Sequence, residues 1–266
     1  MSEMEPFYLP LDGPDGSRFH ATGSTTGPWF ADAQHVGPPS ALLTRAMERL
    51  PGGSSLQLAR VTVEVLGPVP AGEVEVGAEV ERPGRSIELV AAQMSAGGRT
   101  VLRARGWRLA TNDTTGVAAG QADPLPPPAE ATPQTGRAEG WLPGFLDAVE
   151  WRWLTGGPLG SGPGTAWLRQ RVPLVAGEKP TPVQRLMVAA DCANGVAARL
   201  DVREWLFVNT ELTVHLHRTP VGEWIGVDAT TVVGPTGAGT VSAVLHDEHG
   251  HTGRSAQALI VRPRQG

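Results

Sequence analysis

Hydrophobic and polar positions along the chain alternate with two different periods, and each period occurs in two separate stretches. Between Pro38 and Leu50 the residues Leu42, Leu43, Ala46, Met47 and Leu50 recur at helical spacing, and Pro51-Gly-Gly53 ends the run. An opening strand and turn over 19–30 precede this helix. Four alternating stretches follow it, near 56–67, 73–82, 86–95 and 99–110, separated by Gly/Pro turns that suit antiparallel strands. The second half has the same plan. Strands are expected near 148–154 and 165–173, and then a helix over 182–200 begun by Thr181-Pro182, with proline in the first turn where it is favoured. Further strands are expected near 205–218, 222–233, 238–247 and 254–262.

The two halves also share wording. Thr62-Val63-Glu64-Val65 recurs as Thr213-Val214-His215-Leu216, and Ala104-Arg105 is matched to Ala256-Gln257, an offset of roughly 150 residues. One helix against a long antiparallel sheet, done twice, is an α+β architecture made by duplication and fusion, with the halves packing as a dimer would. The expected organisation is an N-terminal domain over 1–110, a linker over 111–144 marked by Pro124-Leu-Pro-Pro-Pro128, and a C-terminal domain over 145–266. Function is then expected between the halves.

At 266 residues and 40% hydrophobic composition the chain can bury two cores. A formal net charge of −5 offers no broad positive field for nucleic acid. There is no 18-residue apolar run for membrane insertion, and the acidic, proline-broken start from Met1 to Pro10 does not read as a signal peptide. The single cysteine, Cys192, excludes an intrachain disulfide and fits a cytoplasmic location.

Several chemistries lack their motifs. There is no G-x-S-x-G elbow, Walker A loop or G-x-G-x-x-G turn. His246-Asp247-Glu248-His249-Gly250-His251 lacks zinc-site order and reads as a hairpin turn, so no metal and no organic cofactor are expected.

The run from Asn209 to Trp224, with Asp191 upstream and Gly253-Arg-Ser-Ala-Gln257 near the end, resembles the C-terminal half of acyl-CoA thioesterase II, the TesB-like double hotdog family. His35-Val36-Gly37-Pro38-Pro39 resembles the loop that leads into that family's first hotdog helix. The resemblance implies two fused hotdog domains, an acyl-CoA substrate, thioester hydrolysis by water attack, and a homo-oligomer that covers exposed sheet edges. The alternative is a weak or inactive hotdog protein that binds acyl-CoA or acyl carrier protein.

By the same resemblance, the catalytic residues are an Asp on the second helix, a Ser or Thr opening the next strand and a Gln on the last strand. The Asp falls on Asp191 and the Gln on Gln257. Aligned without gaps, Asn209 takes the Ser/Thr place. Strand alternation puts Asn209 on one face with Glu211, Thr213 and His215, and Thr210 on the other, so Thr210 replaces it only through a bulge. Backbone amides of His35, Val36 and Gly37 stand at a helix start, where unpaired N–H groups can receive an oxyanion, and Gly37 would permit close approach of a ligand. Gly and Pro there also simply set the turn. Arg218, ending the signature strand, could meet phosphates or pantetheine, or be a solvated charge.

Overall fold

The computed structural model describes residues 4–13, 15–52, 56–137, 139, 141–158 and 160–264. Gly53 of the expected helix stop and the first three residues of the chain lie outside them. In the first half, strands β1 (Tyr8–Pro10) and β2 (Arg18–Ala21) lead to helix α1 (Gly37–Glu48). Strands β3 (Leu56–Val65), β4 (Gly72–Arg82), β5 (Ile87–Ala96) and β6 (Arg99–Ala110) follow. The α1 stripe does what its spacing predicts: Leu42, Leu43 and Met47 are fully or almost fully buried against the sheet. Each such side chain contributes about 1.5–3 kcal/mol by leaving water.

The second half opens with β7 (Thr132–Pro133), the single turn α2 (Phe145–Ala148), β8 (Val149–Thr155) and β9 (Gly164–Gln170). Its helix differs from expectation. Instead of running over 182–200 it divides into α3 (Pro182–Ala190) and α4 (Ala193–Val196), with Asp191 and Cys192 in the turn between them. The start is firm: Thr181 Oγ1 accepts the Gln184 amide while Gln184 Oε1 accepts the Thr181 amide, a capping box. The strand expected over 205–218 is likewise two, β10 (Trp205–Asn209) and β11 (Glu211–Leu216). Strands β12 (Trp224–Val233), β13 (Ala238–Asp247) and β14 (Gly250–Pro263) complete the chain, and the His246–His251 stretch is the β13–β14 hairpin.

All strands join one antiparallel sheet in the order β1-β2-β4-β5-β6-β3-β11-β14-β13-β12-β9-β8-β7, with β10 paired to β14. The halves meet edge to edge through β3 and β11, where Thr62 faces Thr213, 151 residues away. The same offset relates β6 to β14 and β5 to β13, since Arg105 pairs with Thr62 and Ala91 as Ala256 pairs with Thr213 and Ser242. It also relates two bulges. The β3–β6 register slips at Ala59, and the extra residue between Asn209↔Leu259 and Thr213↔Ala256 is Thr210. This register makes Arg105 the counterpart of Ala256 in the repeat, so the sequence match of Ala104-Arg105 with Ala256-Gln257 is one position out.

The proline-rich segment after β6 docks on the second half. Pro126 and Pro128 carbonyls accept from Trp167 Nε1 and Arg152, Gln134 Oε1 accepts from Trp153 Nε1, and the Ala122 amide donates to His251 Nδ1 at 3.1 Å. His251 lies beside His217 and His246, with ring centroids 4.6 and 5.8 Å apart. Burial, reinforced by His251, pushes His246 down to about 4, against the pull of Asp228 and Asp247. A histidine whose folded pKa lies below its unfolded value of about 6.5 contributes stability that is complete above that value and lost on acidification. The urea midpoint is therefore expected to fall as pH drops from 7 towards 4, and His246→Gln is expected to flatten that slope. Equal slopes for both proteins would refute the assignment. No helix among the described residues is long and apolar enough to cross a membrane.

Candidate functional site

Asp191 caps the C-terminal end of α3, where the chain turns through Asp-Cys-Ala-Asn-Gly, a run containing poor helix formers. It is 2% exposed. A buried carboxylate at the negative end of a helix is unfavourable unless donors surround it. They come from three other places in the chain. Asn209 Nδ2 on β10 donates to Asp191 Oδ1 at 2.8 Å. Gln257 Nε2 on β14 reaches the same oxygen at 3.4 Å and the Asp191 carbonyl at 3.2 Å. His35 Nδ1, two residues before α1, lies 2.9 Å from Asp191 Oδ2.

The Thr210 bulge explains why Asn209 arrives. Uninterrupted alternation would group it with Glu211 and Thr213. The extra residue instead puts Asn209 on the helix-facing side with the buried Phe207, Leu212 and Val214. Asn209 therefore occupies the position beside Asp191, while Thr210 is exposed and donates its hydroxyl to the Ala258 carbonyl at 3.3 Å.

At the entrance to α1 the sequence suggested backbone amides, but the group that meets Asp191 is the His35 imidazole. Its Nδ1 also accepts the Gly37 amide at 3.1 Å. One nitrogen cannot serve both: when the proton is on Nδ1 it points to the carboxylate, and the Gly37 N–H is left for another acceptor. The His35 ring stacks on Phe145 of α2 with centroids 3.8 Å apart and planes 11° from parallel. A Cβ on Gly37 would lie 2.8 Å from the Val188 carbonyl oxygen, so the close approach that this glycine permits is to the backbone of α3.

A cavity of about 250 Å³ opens beside these groups. Trp29, Phe30, Val36, Val65, Val69 and Val208 supply apolar wall, and Asp191, Asn194, Asn209 and Thr210 supply polar wall. Arg218 is not brought to it. Its guanidinium makes a two-pronged ion pair with Asp247 and donates to the Gly250 and His251 carbonyls, 3.0 Å each, which fixes the β13–β14 hairpin. Trp29, Asn194 and Phe145 went unnoticed in the sequence because no spacing rule marks a residue that reaches the site from a loop or a single helical turn.

The repeat generates a second carboxylate in a comparable setting. Glu48 at the end of α1 accepts from Thr181 Oγ1 and, at 2.6 Å, from Gln184 Nε2 at the start of α3. Burial pushes Glu48 up from its ordinary value, opposed by those two hydrogen bonds. By the sheet register, Leu58 occupies the position equivalent to Asn209 and Gly106 that of Gln257. The space over Gly106 is filled, since an added Cβ would lie 2.9 Å from Leu58 Cδ2 and 3.2 Å from Met47 Sδ. The strand donors of the first site are thus replaced by apolar packing.

Comparison with known proteins agrees with this architecture. The family model described as acyl-CoA thioesterase N-terminal domain matches residues 25–109, and that described as acyl-CoA thioesterase C-terminal domain matches 122–261. No curated protein matches the sequence. Among solved structures, a hotdog-fold protein of unknown function from Alicyclobacillus acidocaldarius superposes with a TM-score of 0.75 at 15% identity, covering 95% of this chain and 96% of the other. The tesB protein of Mycobacterium avium subsp. paratuberculosis gives 0.68 at 15% identity, covering 93% and 94%. Acyl-CoA thioesterase II TesB2 from Mycobacterium marinum gives 0.65 at 15% identity, covering 87% and 90%. At these identities the likeness establishes the double hotdog fold.

Proposed function

Because the chain belongs to the acyl-CoA thioesterase family, we propose that it hydrolyses an acyl-CoA to the free acid and CoA, with Asp191 as the general base. The observation that carries this reading is the buried carboxylate of Asp191, oriented by donors from β10, β14 and the start of α1 at the wall of an apolar cavity. A water beside it gives a proton to the carboxylate as its oxygen attacks the thioester carbonyl. The C–S bond then breaks, and the departing thiolate takes that proton back from Asp191 to leave as CoA, which restores the carboxylate. The carbonyl oxygen gains charge on the way and needs a donor. The Gly37 N–H is suited to this when the His35 proton faces Asp191. Gln257 Oε1, buried and without a hydrogen-bond partner among the described residues, is suited to accept a hydrogen bond from the second O–H of the attacking water.

Asn209 holds Asp191 and takes no proton itself. Asn209→Ala removes one hydrogen bond to a charged group, about 1.5 kcal/mol, so turnover is expected to fall about tenfold. Free-thiol detection over acetyl-, octanoyl-, palmitoyl- and phenylacetyl-CoA tests the proposal. Release of thiol from none of them, with acyl-CoA still bound, would favour the alternative of a binding protein, to which an Asn at the place of the family's Ser or Thr also points.

A further inference from the structure

Two aromatic rings, Trp29 and Phe30, line the cavity, and that of Trp29 is held from two sides. Trp29 meets the edge of buried Phe207, with centroids 4.8 Å apart and planes at 82°. On another side Arg264 places its guanidinium carbon 5.6 Å from the Trp29 ring centroid. Phe207 belongs to β10, the strand that ends at Asn209, so the indole is referenced to the same element as the polar wall. A side chain pinned in this way sets a fixed limit to the cavity, unlike a loose loop residue that yields to a longer ligand.

The volume gives the limit a magnitude. An apolar cavity of about 150 Å³ takes up benzene, so one of about 250 Å³ accommodates roughly ten non-hydrogen atoms. The nucleotide end of CoA is polyanionic and stays in water. The apolar cavity therefore suits the acyl end, with the thioester carbonyl at Asp191 and the tail running towards Trp29. Building on the proposed hydrolysis, we infer that Trp29 is the residue that sets acyl size, and that the substrates are short to medium or single-ring acyl groups of about ten non-hydrogen atoms, not long-chain fatty acyl groups.

The test uses the full chain, wild type and Trp29→Ala, with acetyl-, butyryl-, hexanoyl-, octanoyl-, lauroyl-, palmitoyl- and phenylacetyl-CoA. Wild-type kcat/KM is expected to peak at or below octanoyl-CoA and to be at least tenfold lower for palmitoyl-CoA. Trp29→Ala is expected to raise the lauroyl-to-hexanoyl ratio about tenfold, the scale of discrimination that a methylene or two gives in an apolar pocket. Trp29→Phe, which keeps an aromatic ring on Phe207, is expected to stay close to the wild-type profile and guards against a folding defect in the alanine variant. A wild-type preference for palmitoyl-CoA, or a Trp29→Ala loss that is equal for every chain length, would overturn the inference and leave hydrolysis standing. If no acyl-CoA is cleaved but calorimetry shows octanoyl-CoA binding more tightly than palmitoyl-CoA, the hydrolase reading falls and the size limit stands.

Discussion

Asp191→Asn is expected to lower kcat for whichever acyl-CoA is cleaved by about 10²–10⁴-fold, the range that a positioned general base supplies. The substitution keeps the volume and can still accept a hydrogen bond from Asn209 or Gln257, so the surrounding packing is preserved. It removes the capacity to take a proton at pH 7. Asp191→Ala should match it in turnover but not in stability, because truncation removes the buried Oδ1 that accepts Asn209 Nδ2 at 2.8 Å, while Gln257 keeps only the main-chain carbonyl of residue 191. The order of effects is diagnostic: a base is indispensable, whereas Asn209→Ala costs only its orienting bond. Activity of Asp191→Asn within tenfold of wild type, in a protein with unchanged circular dichroism, would exclude Asp191 as the base and move attention to His35.

Most of the frame was legible because it depends on local period. Leu42, Leu43 and Met47 mark α1, and strand bounds such as Arg99–Ala110 and Ala238–Asp247 follow directly from alternation between turns. The end of α3 was not. Cys192, Ala193, Val196, Ala197 and Ala198 are buried and apolar, so they continue the pattern of Leu186–Ala190 through a break that only the contacts of Asp191 reveal. A bulge shifts the phase of a period-two pattern, but here the shift is hidden because Trp205-Leu-Phe-Val208 is apolar on both faces. The sequence therefore posed Asn209 against Thr210 and grouped Asn209 with the wrong neighbours, although gapless alignment named the residue that reaches Asp191. His35 was found for its backbone, and the imidazole–carboxylate contact needed the crossing of α1 and α3 to appear. Arg218 looked like a phosphate contact because its buried partner, Asp247, is 29 residues away in sequence. The cavity belongs to no single element and has no sequence signature.

Phe145→Ala is expected to destabilise the protein by about 3–5 kcal/mol, the usual cost of removing a buried aromatic ring, and to reduce activity in the fraction that remains folded. Phe145 is fully buried and opens α2 in the second half, yet its ring contacts belong to the first half. It stacks on Phe7 with centroids 6.0 Å apart and on His35 at 3.8 Å, while its backbone amide donates to the Thr26 carbonyl at 2.9 Å. Removing the ring leaves one face of the His35 imidazole without packing, so the angle at which Nδ1 meets Asp191 is no longer fixed, and a misplacement of about 1 Å in such a contact is enough to cost about 100-fold in rate. Phe145→Leu separates the two consequences. It fills most of the volume and should recover the greater part of the stability, but it offers no flat surface to the imidazole, so its kcat should remain well below wild type. Urea denaturation monitored by tryptophan fluorescence and initial rates measured far below each variant's midpoint give both quantities. A Phe145→Leu enzyme with wild-type kcat would show that His35 is held by Asp191 and the start of α1 alone, and that Phe145 serves the core without serving the site.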